Sequence, residues 1–306
     1  MDTAEETLTY VYAVAPVTEH LEDTAAGLRG IYGSPVLFLT APPPAGPGDP
    51  PAPLVFAAGH VPRGDFDESA LKNHFEDLEW LEGVARAHHD VVQALSVHTT
   101  VLPLRMATVY EDDERARQAL SEQYRTFAER LERLGGHTEF GVKLYLAPTP
   151  DPAGGEADAG AGAGGATSPG KAYLRRRRAQ HNAVEVMYGQ ARTAAALVEA
   201  VAFDYASQRV RHPTQSGELA GSAQNVLNDA YLVPDACAGQ FKAAVEDAVS
   251  TFGGVRVEVT GPWAPYSFAM PPVERRDPPP ADDGQDEGQD EGQDEPEHAE
   301  GGEHGP

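Results

Sequence analysis

Between residues 67 and 96 the positions Leu71, Phe75, Leu78, Leu81, Ala85, His88, Val92 and Leu95 recur every three or four residues, the spacing that lines one face of an amphipathic helix. Leu78, Leu81 and His88 are accordingly expected to share a buried face. A second helix is predicted over 112–134, with Ala116, Leu120, Tyr124, Phe127, Leu131 and Leu134 turned inward and Gly135 and Gly136 ending it. β-Branched and aromatic runs predict strands over 7–15, 35–40, 54–58, 97–103 and 140–146, the last closing an N-terminal α/β domain of residues 1–148. Further on, a long helix is predicted over 170–207 and strands over 208–212 and 226–233. A helix capped by Asp235 follows, stopped by Gly253 and Gly254, and an alternating strand covers 255–260. Helix, strand, strand, helix, strand fits a small sheet covered by helices on one face, as in ferredoxin-like folds. The expected class is therefore α+β, with a ferredoxin-like C-terminal domain over 170–272.

Three segments interrupt this pattern. Residues 41–53 are mostly Pro, Gly and Ala and are expected to form a surface loop between two strands. Residues 149–169 are rich in Gly, Ala and Pro with almost no apolar bulk, which predicts a flexible linker. In the tail, 273–306, Gly-Gln-Asp-Glu occurs three times in succession from Gly284 to Glu295, a charge density without aromatic residues that favours disorder. A length of 306 residues suits two domains of ordinary size.

Charge changes the picture less than its total suggests. The net charge is -25, but 6 Asp and 6 Glu without Lys or Arg lie between Asp277 and Pro306, so the other 276 residues carry only -13. That balance argues against general nucleic-acid binding, which needs a surplus of Lys and Arg. Apolar runs fall well short of the roughly 20 residues that span a bilayer. Asp2, Glu5 and Glu6 stand where a secretory signal places positive charge. A single cysteine, Cys237, agrees with a reducing compartment. Cytoplasmic residence is the expectation, with no membrane partner.

Candidate chemistry is sparse. No Walker-type loop, Gly-x-Ser-x-Gly or dinucleotide fingerprint occurs. His74, His88, His89 and His98 lie near one another, yet none of them has the His-Glu-x-x-His spacing of a zinc helix; no metal or cofactor is expected. Paired carboxylates such as Glu76 with Asp77 and Asp112 with Asp113 mark capped or solvated helix starts. Arg175, Arg176, Arg177 and Arg178 form the main basic cluster. Four consecutive helical positions point around most of the circumference, so a solvated helix end, or a patch that pairs with an acidic protein partner or with the acidic tail, is expected there. Near the C-terminal end, Thr-Gly-Pro-Trp-Ala-Pro-Tyr-Ser-Phe is a strand exit stiffened by proline that carries Trp263, Tyr266 and Phe268. These three either cap a core or offer a protein-binding surface.

Four stretches together resemble the GvpL/GvpF family of gas vesicle proteins. They are Tyr10-Val11-Tyr12; Asp77-Leu78-Glu79-Trp80-Leu81-Glu82 continuing through Ala85, Ala87 and His88 to Val91; and Val101 to Val109 with its close at Gly136, Glu139, Gly141, Val142 and Lys143. The fourth is Asn228-Asp229-Ala230-Tyr231-Leu232-Val233, then Phe241 and Thr260 to Phe268, and Gly170-Lys171-Ala172-Tyr173-Leu174 resembles the entry to the family's long helix. Met106-Ala107 in place of Phe-Gly, Asp229 in place of Ala, and Ala264 in place of Pro are departures. The resemblance implies two α/β domains, the second ferredoxin-like, and a non-enzymatic part in building gas vesicles. The implied partners are the shell protein and other accessory proteins. The competing class is a small oxygenase or isomerase on a ferredoxin-like scaffold, with His88 or His98 as base.

Overall fold

The computed structural model describes residues 6–19, 21, 27–43, 52–74, 76–146, 169–214 and 224–269. The predicted linker, apart from Pro169, and the acidic tail lie outside these residues.

A first antiparallel sheet has the order β2 (Leu37–Ala41), β3 (Leu54–Pro62), β1 (Thr7–Pro16), β4 (Leu102–Pro103), with β5 (Val109–Tyr110) also pairing β1. β1 is interior, and Leu8 to Ala15 are buried without a break. A register shift between Val11 and Ala13 resets the alternation of side chains, as a bulge does. Val11 and Val14 consequently join one core, while Tyr10, Tyr12, Ala13 and Ala15 join the other.

The first of these cores lies under two helices, α4 (Asp113–Glu122) and α5 (Tyr124–Leu134). The sequence predicts one helix here; the chain breaks it at Gln123 (φ -98°, ψ 7°). All six predicted inward residues from Ala116 to Leu134 are nevertheless buried. Asp112 caps α4 by accepting from the Arg115 backbone N–H.

The opposite face of the sheet is covered by α3 (Leu78–Ser96), preceded by the short helices α1 (Arg63–Phe66) and α2 (Glu68–His74). Asp77 starts α3 by accepting from the N–H groups of Glu79 and Trp80, so the predicted helix over 67–96 is two helices and its phase is reset. The buried stripe runs Val84, His88, Val91, Val92 and Leu95. Leu78, expected inside, is 79% exposed in the first turn, and Leu81 is only partly covered. The strand expected over 97–103 shrinks to β4, because the chain turns after α3.

A second antiparallel sheet has the order β7 (Gln208–Arg211), β8 (Gln224–Pro234), β6 (His137–Leu146), β9 (Val255–Trp263). β6, expected to close the N-terminal domain, instead pairs with β8 and β9, so a boundary at 148 leaves this strand on the wrong side. The reason is burial: Phe140, Val142 and Leu144 alternate onto a face covered by α6 (Pro169–Phe203) and α7 (Ala238–Val249). Ala230 and Leu232, on the opposite face, join the core under α4 and α5. Asp235 makes no side-chain cap; a 3-10 turn, Asp235–Cys237, leads into α7. β9 continues three residues beyond the predicted end at 260, through Gly261 (φ +123°) and a cis bond to Pro262.

Candidate functional site

The segment after β9 binds parts of both sheets. The Gln93 side-chain amide of α3 accepts from the Ala264 N–H at 3.2 Å and donates to the Pro262 carbonyl at 3.5 Å. Thr138 of β6 donates to the Trp263 carbonyl at 3.1 Å. The short helix α8 (Tyr266–Ala269) follows; Arg130 of α5 donates to the Ala269 carbonyl at 3.4 Å. Glu139 of β6, 8% exposed, accepts from the Ser267 N–H at 2.8 Å and from its hydroxyl at 2.7 Å. With that hydroxyl hydrogen spent on Glu139, the 3.1 Å contact between Ser267 and His212 Nε2 requires the imidazole N–H to donate. Burial pushes the Glu139 carboxyl above the usual range, and the two Ser267 donors pull it back.

The three aromatic residues predicted to act together are separated by this geometry. Phe268 is buried in the core under α4 and α5. Tyr266 packs against the core beneath α3, and its buried hydroxyl makes no hydrogen bond among the described residues. Trp263 alone keeps substantial exposure, 39%, with the His89 ring edge-on at 5.3 Å between centroids. It borders a cavity of about 370 Å³ lined also by Gln93, His98, Thr100, His137 and Asp235. Arg175, Arg177 and Arg178 are exposed on α6 and form no ion pair among the described residues; Arg176's side chain lies outside them.

The two histidines weighed as bases part company. His98 is exposed at the Trp263 cavity, whereas His88 is buried and lines a different one, of about 390 Å³. His88 Nδ1 lies 2.9 Å from the Tyr10 hydroxyl, which accepts from the Ala107 N–H at 3.0 Å. Burial lowers the His88 pKa to about 4; Leu104's carbonyl opposes the shift and His89 reinforces it. At neutral pH His88 is an uncharged ring with no carboxylate bonded to it among the described residues, unlike the base of a catalytic pair. Among the described residues, no group of three or more His, Cys, Asp or Glu is placed to hold a metal, and no helix is long and apolar enough to cross a membrane.

Several partners were not anticipated from sequence. Gln93 and Glu139 bind backbone and side chain of residues more than 100 positions away, which no local spacing reveals. Tyr10 and Tyr12 did carry a signal, since residues two apart on a strand face one side; both rings contact His88. Asp229, the departure noted in β8, is 1% exposed and faces Arg211 across the β7–β8 ladder. Arg209 and Arg211 lie 3.8 and 3.5 Å from its carboxylate and also pair with Glu199 of α6, so the substitution brings its own counter-charges.

Comparison with known proteins agrees with this fold. The sequence profile of the family described as "Gas vesicle synthesis protein GvpL/GvpF" matches residues 8–270. The chain is 40% identical over 264 residues, 86% of its length and 92% of the relative's, to Gas vesicle protein L of Streptomyces sp. (strain CB03234). Crystal structures of gas vesicle protein GvpF from Anabaena sp. PCC7120 and from Microcystis aeruginosa superpose with TM-scores of 0.53 and 0.52. Each is 17% identical, covering 86% of this chain and 96% and 99% of those chains, respectively.

Proposed function

The chain belongs to the GvpL/GvpF family of gas vesicle synthesis proteins, and from that membership we propose that it is a non-enzymatic accessory or minor structural protein of gas vesicle assembly. It works in the cytoplasm by contacting the shell protein and other accessory proteins. The single structural observation that carries the contact surface is Trp263. Its backbone carbonyl accepts from Thr138, Gln93 holds the flanking Pro262 and Ala264, and the indole is left 39% exposed beside a cavity. Rigid aromatics that lose little entropy on docking are favoured interface anchors. Arg175, Arg176, Arg177 and Arg178 are proposed as a second contact region, for an acidic protein partner.

The second sheet is read as a ferredoxin-like unit. Its support is the chain order β6-α6-β7-β8-α7-β9 with sheet order β7-β8-β6-β9, which moves the start of that unit back to His137.

Co-purification of the full chain with its shell protein tests the contact. Trp263→Ala is expected to keep its melting temperature within a few degrees and to lose most of the shell protein captured. A variant that captures normally removes Trp263 from the interface, and one that melts early makes the indole part of the core.

A further inference from the structure

Tyr32 stands in a 3-10 turn, Ile31–Gly33, with φ +54° and ψ 23°. This is the left-handed region, where a bulky L side chain is held at a cost and where strain collects at functional sites. The ring gains little burial in return, for Tyr32 is 56% exposed. Its hydroxyl is tied on both sides, accepting from Trp80 Nε1 at 2.8 Å and donating to the Asp65 carboxylate. Trp80 is fixed in turn, stacked on His74 at 4.4 Å and 10° and tilted against Phe66 at 5.3 Å. A strained backbone, two hydrogen bonds and a packed indole thus hold an aromatic ring toward solvent.

Tyr32 and Trp80 line a cavity of about 420 Å³ with Ile31, Asp77, Glu79, Gly83 and Val84. Its walls are contiguous, because the phenol oxygen touches the indole nitrogen and Glu79 is the chain neighbour of Trp80. Tyr32, Asp77, Glu79 and Gly83 are all exposed. Gly83 is the unexpected member. Glycine inside a helix of 19 residues is unfavourable, yet a β-carbon there would meet no other part of the molecule within 4 Å among the described residues. Internal packing therefore does not call for glycine; its effect is to leave the cavity floor open.

Charge decides what enters. Asp77 and Glu79 are on the wall, and no Lys, Arg or His joins them among the described residues. Asp77 accepts from the N–H groups of Glu79 and Trp80 and offsets the positive end of α3. The Glu79 carboxylate makes no ion pair among the described residues. Nearby bases are spent within their own helices, Lys72 on Glu68 and Arg86 on Glu82, and the exposed Arg29 does not line the cavity. An aromatic ring beside an unpaired carboxylate suits a guanidinium, which stacks on rings and donates to carboxylates.

We propose that this cavity receives an arginine side chain of a partner protein, its guanidinium lying over the Tyr32 ring and donating to the Glu79 carboxylate. Gly83 lies about three turns along α3 from Gln93, so the site is separate from the Trp263 contact and stands whether or not that contact does.

The test uses the full chain with 15N-labelled indoles, Trp263→Phe assigning the Trp80 signal, and N-acetyl-arginine methylamide as probe. A saturable shift of the Trp80 Nε1–H resonance is expected. N-acetyl-citrulline methylamide, nearly the same shape without the charge, should bind about threefold or more weakly at equal ionic strength. Glu79→Gln should weaken the arginine probe about two- to fivefold and leave the citrulline probe unchanged. Gly83→Leu is expected to keep or raise the melting temperature and to abolish the shift by filling the floor. Tyr32→Asn, which suits a left-handed backbone, should melt within a few degrees of the parent and lose the probe. No saturable shift, equal affinity for the two probes, or undiminished binding in any of the three variants overturns the proposal. So does an early melt of Tyr32→Asn, which makes covering Phe66 the reason for the strained ring.

Discussion

At the scale of single residues, His88 makes the fold sensitive to acid. Its folded pKa, about 4, lies below the ordinary histidine value of 6.5. The native state thus favours the neutral ring, and the unfolded chain takes up the proton first. The contribution is complete above pH 6.5 and is lost as pH falls toward 4, amounting to on the order of 3 kcal/mol when fully developed. Glu139 has the opposite sign. Its raised pKa means that the native state favours the protonated acid, so this group adds stability as pH falls through that value. Denaturant titrations of the parent and of His88→Leu at pH 7 and pH 5 separate the two. The variant is expected to lose the histidine part of the slope while starting from lower stability, and parallel slopes in both proteins contradict a neutral buried ring. The neighbourhood of His88 was partly legible in the chain, because its place on an amphipathic stripe fixed its burial. The proton arrangement was not, since Tyr10 and Ala107 reach it from distant positions.

At the scale of elements, periodicity located α3, α4 and α5, and capping decided their phase. Asp77 was visible as a carboxylate at a helix start, and its two bonds to Glu79 and Trp80 are the reason that Leu78 faces solvent. The segment after β9 was legible as stiff and aromatic, whereas the division of its side chains between two cores and the surface depended on packing. Its anchor is Ser267. Ser267→Ala removes the hydroxyl donor to Glu139 and the acceptor for His212, leaving a buried carboxyl with one backbone N–H. A loss of about 1–3 kcal/mol in urea unfolding is expected, with the Glu139 pKa moving further upward. A change below about 0.5 kcal/mol would show that the backbone bond alone holds α8.

At the scale of the whole molecule, local patterns recovered most strands but grouped β6 with the N-terminal half of the chain, whereas it pairs with β8 and β9. Alternation of Phe140, Val142 and Leu144 says that one face is buried; it does not say against which helices. Adjacency in the chain favoured the N-terminal half, and the unmet apolar faces of α6 and α7 decided otherwise. Because Ala230, Leu232, Phe268 and Ala269 also enter the core under α4 and α5, the two sheets share apolar interior. One cooperative unfolding transition is therefore expected for the sheets, with near- and far-ultraviolet circular dichroism coinciding. Two separated transitions would mean that they melt independently.

The late closing of the second sheet also shapes synthesis. β6 pairs with a strand whose partner residues lie 109 to 124 positions downstream, and α8, which completes the first core, comes later still. A ribosome will have released most of the chain before either core can shut. The emerging polypeptide therefore carries open strand edges and bare apolar faces for nearly the whole of translation. Refolding from denaturant and folding during translation should thus pass through the same final step, and that long vulnerable interval is when a holding chaperone has the most to do.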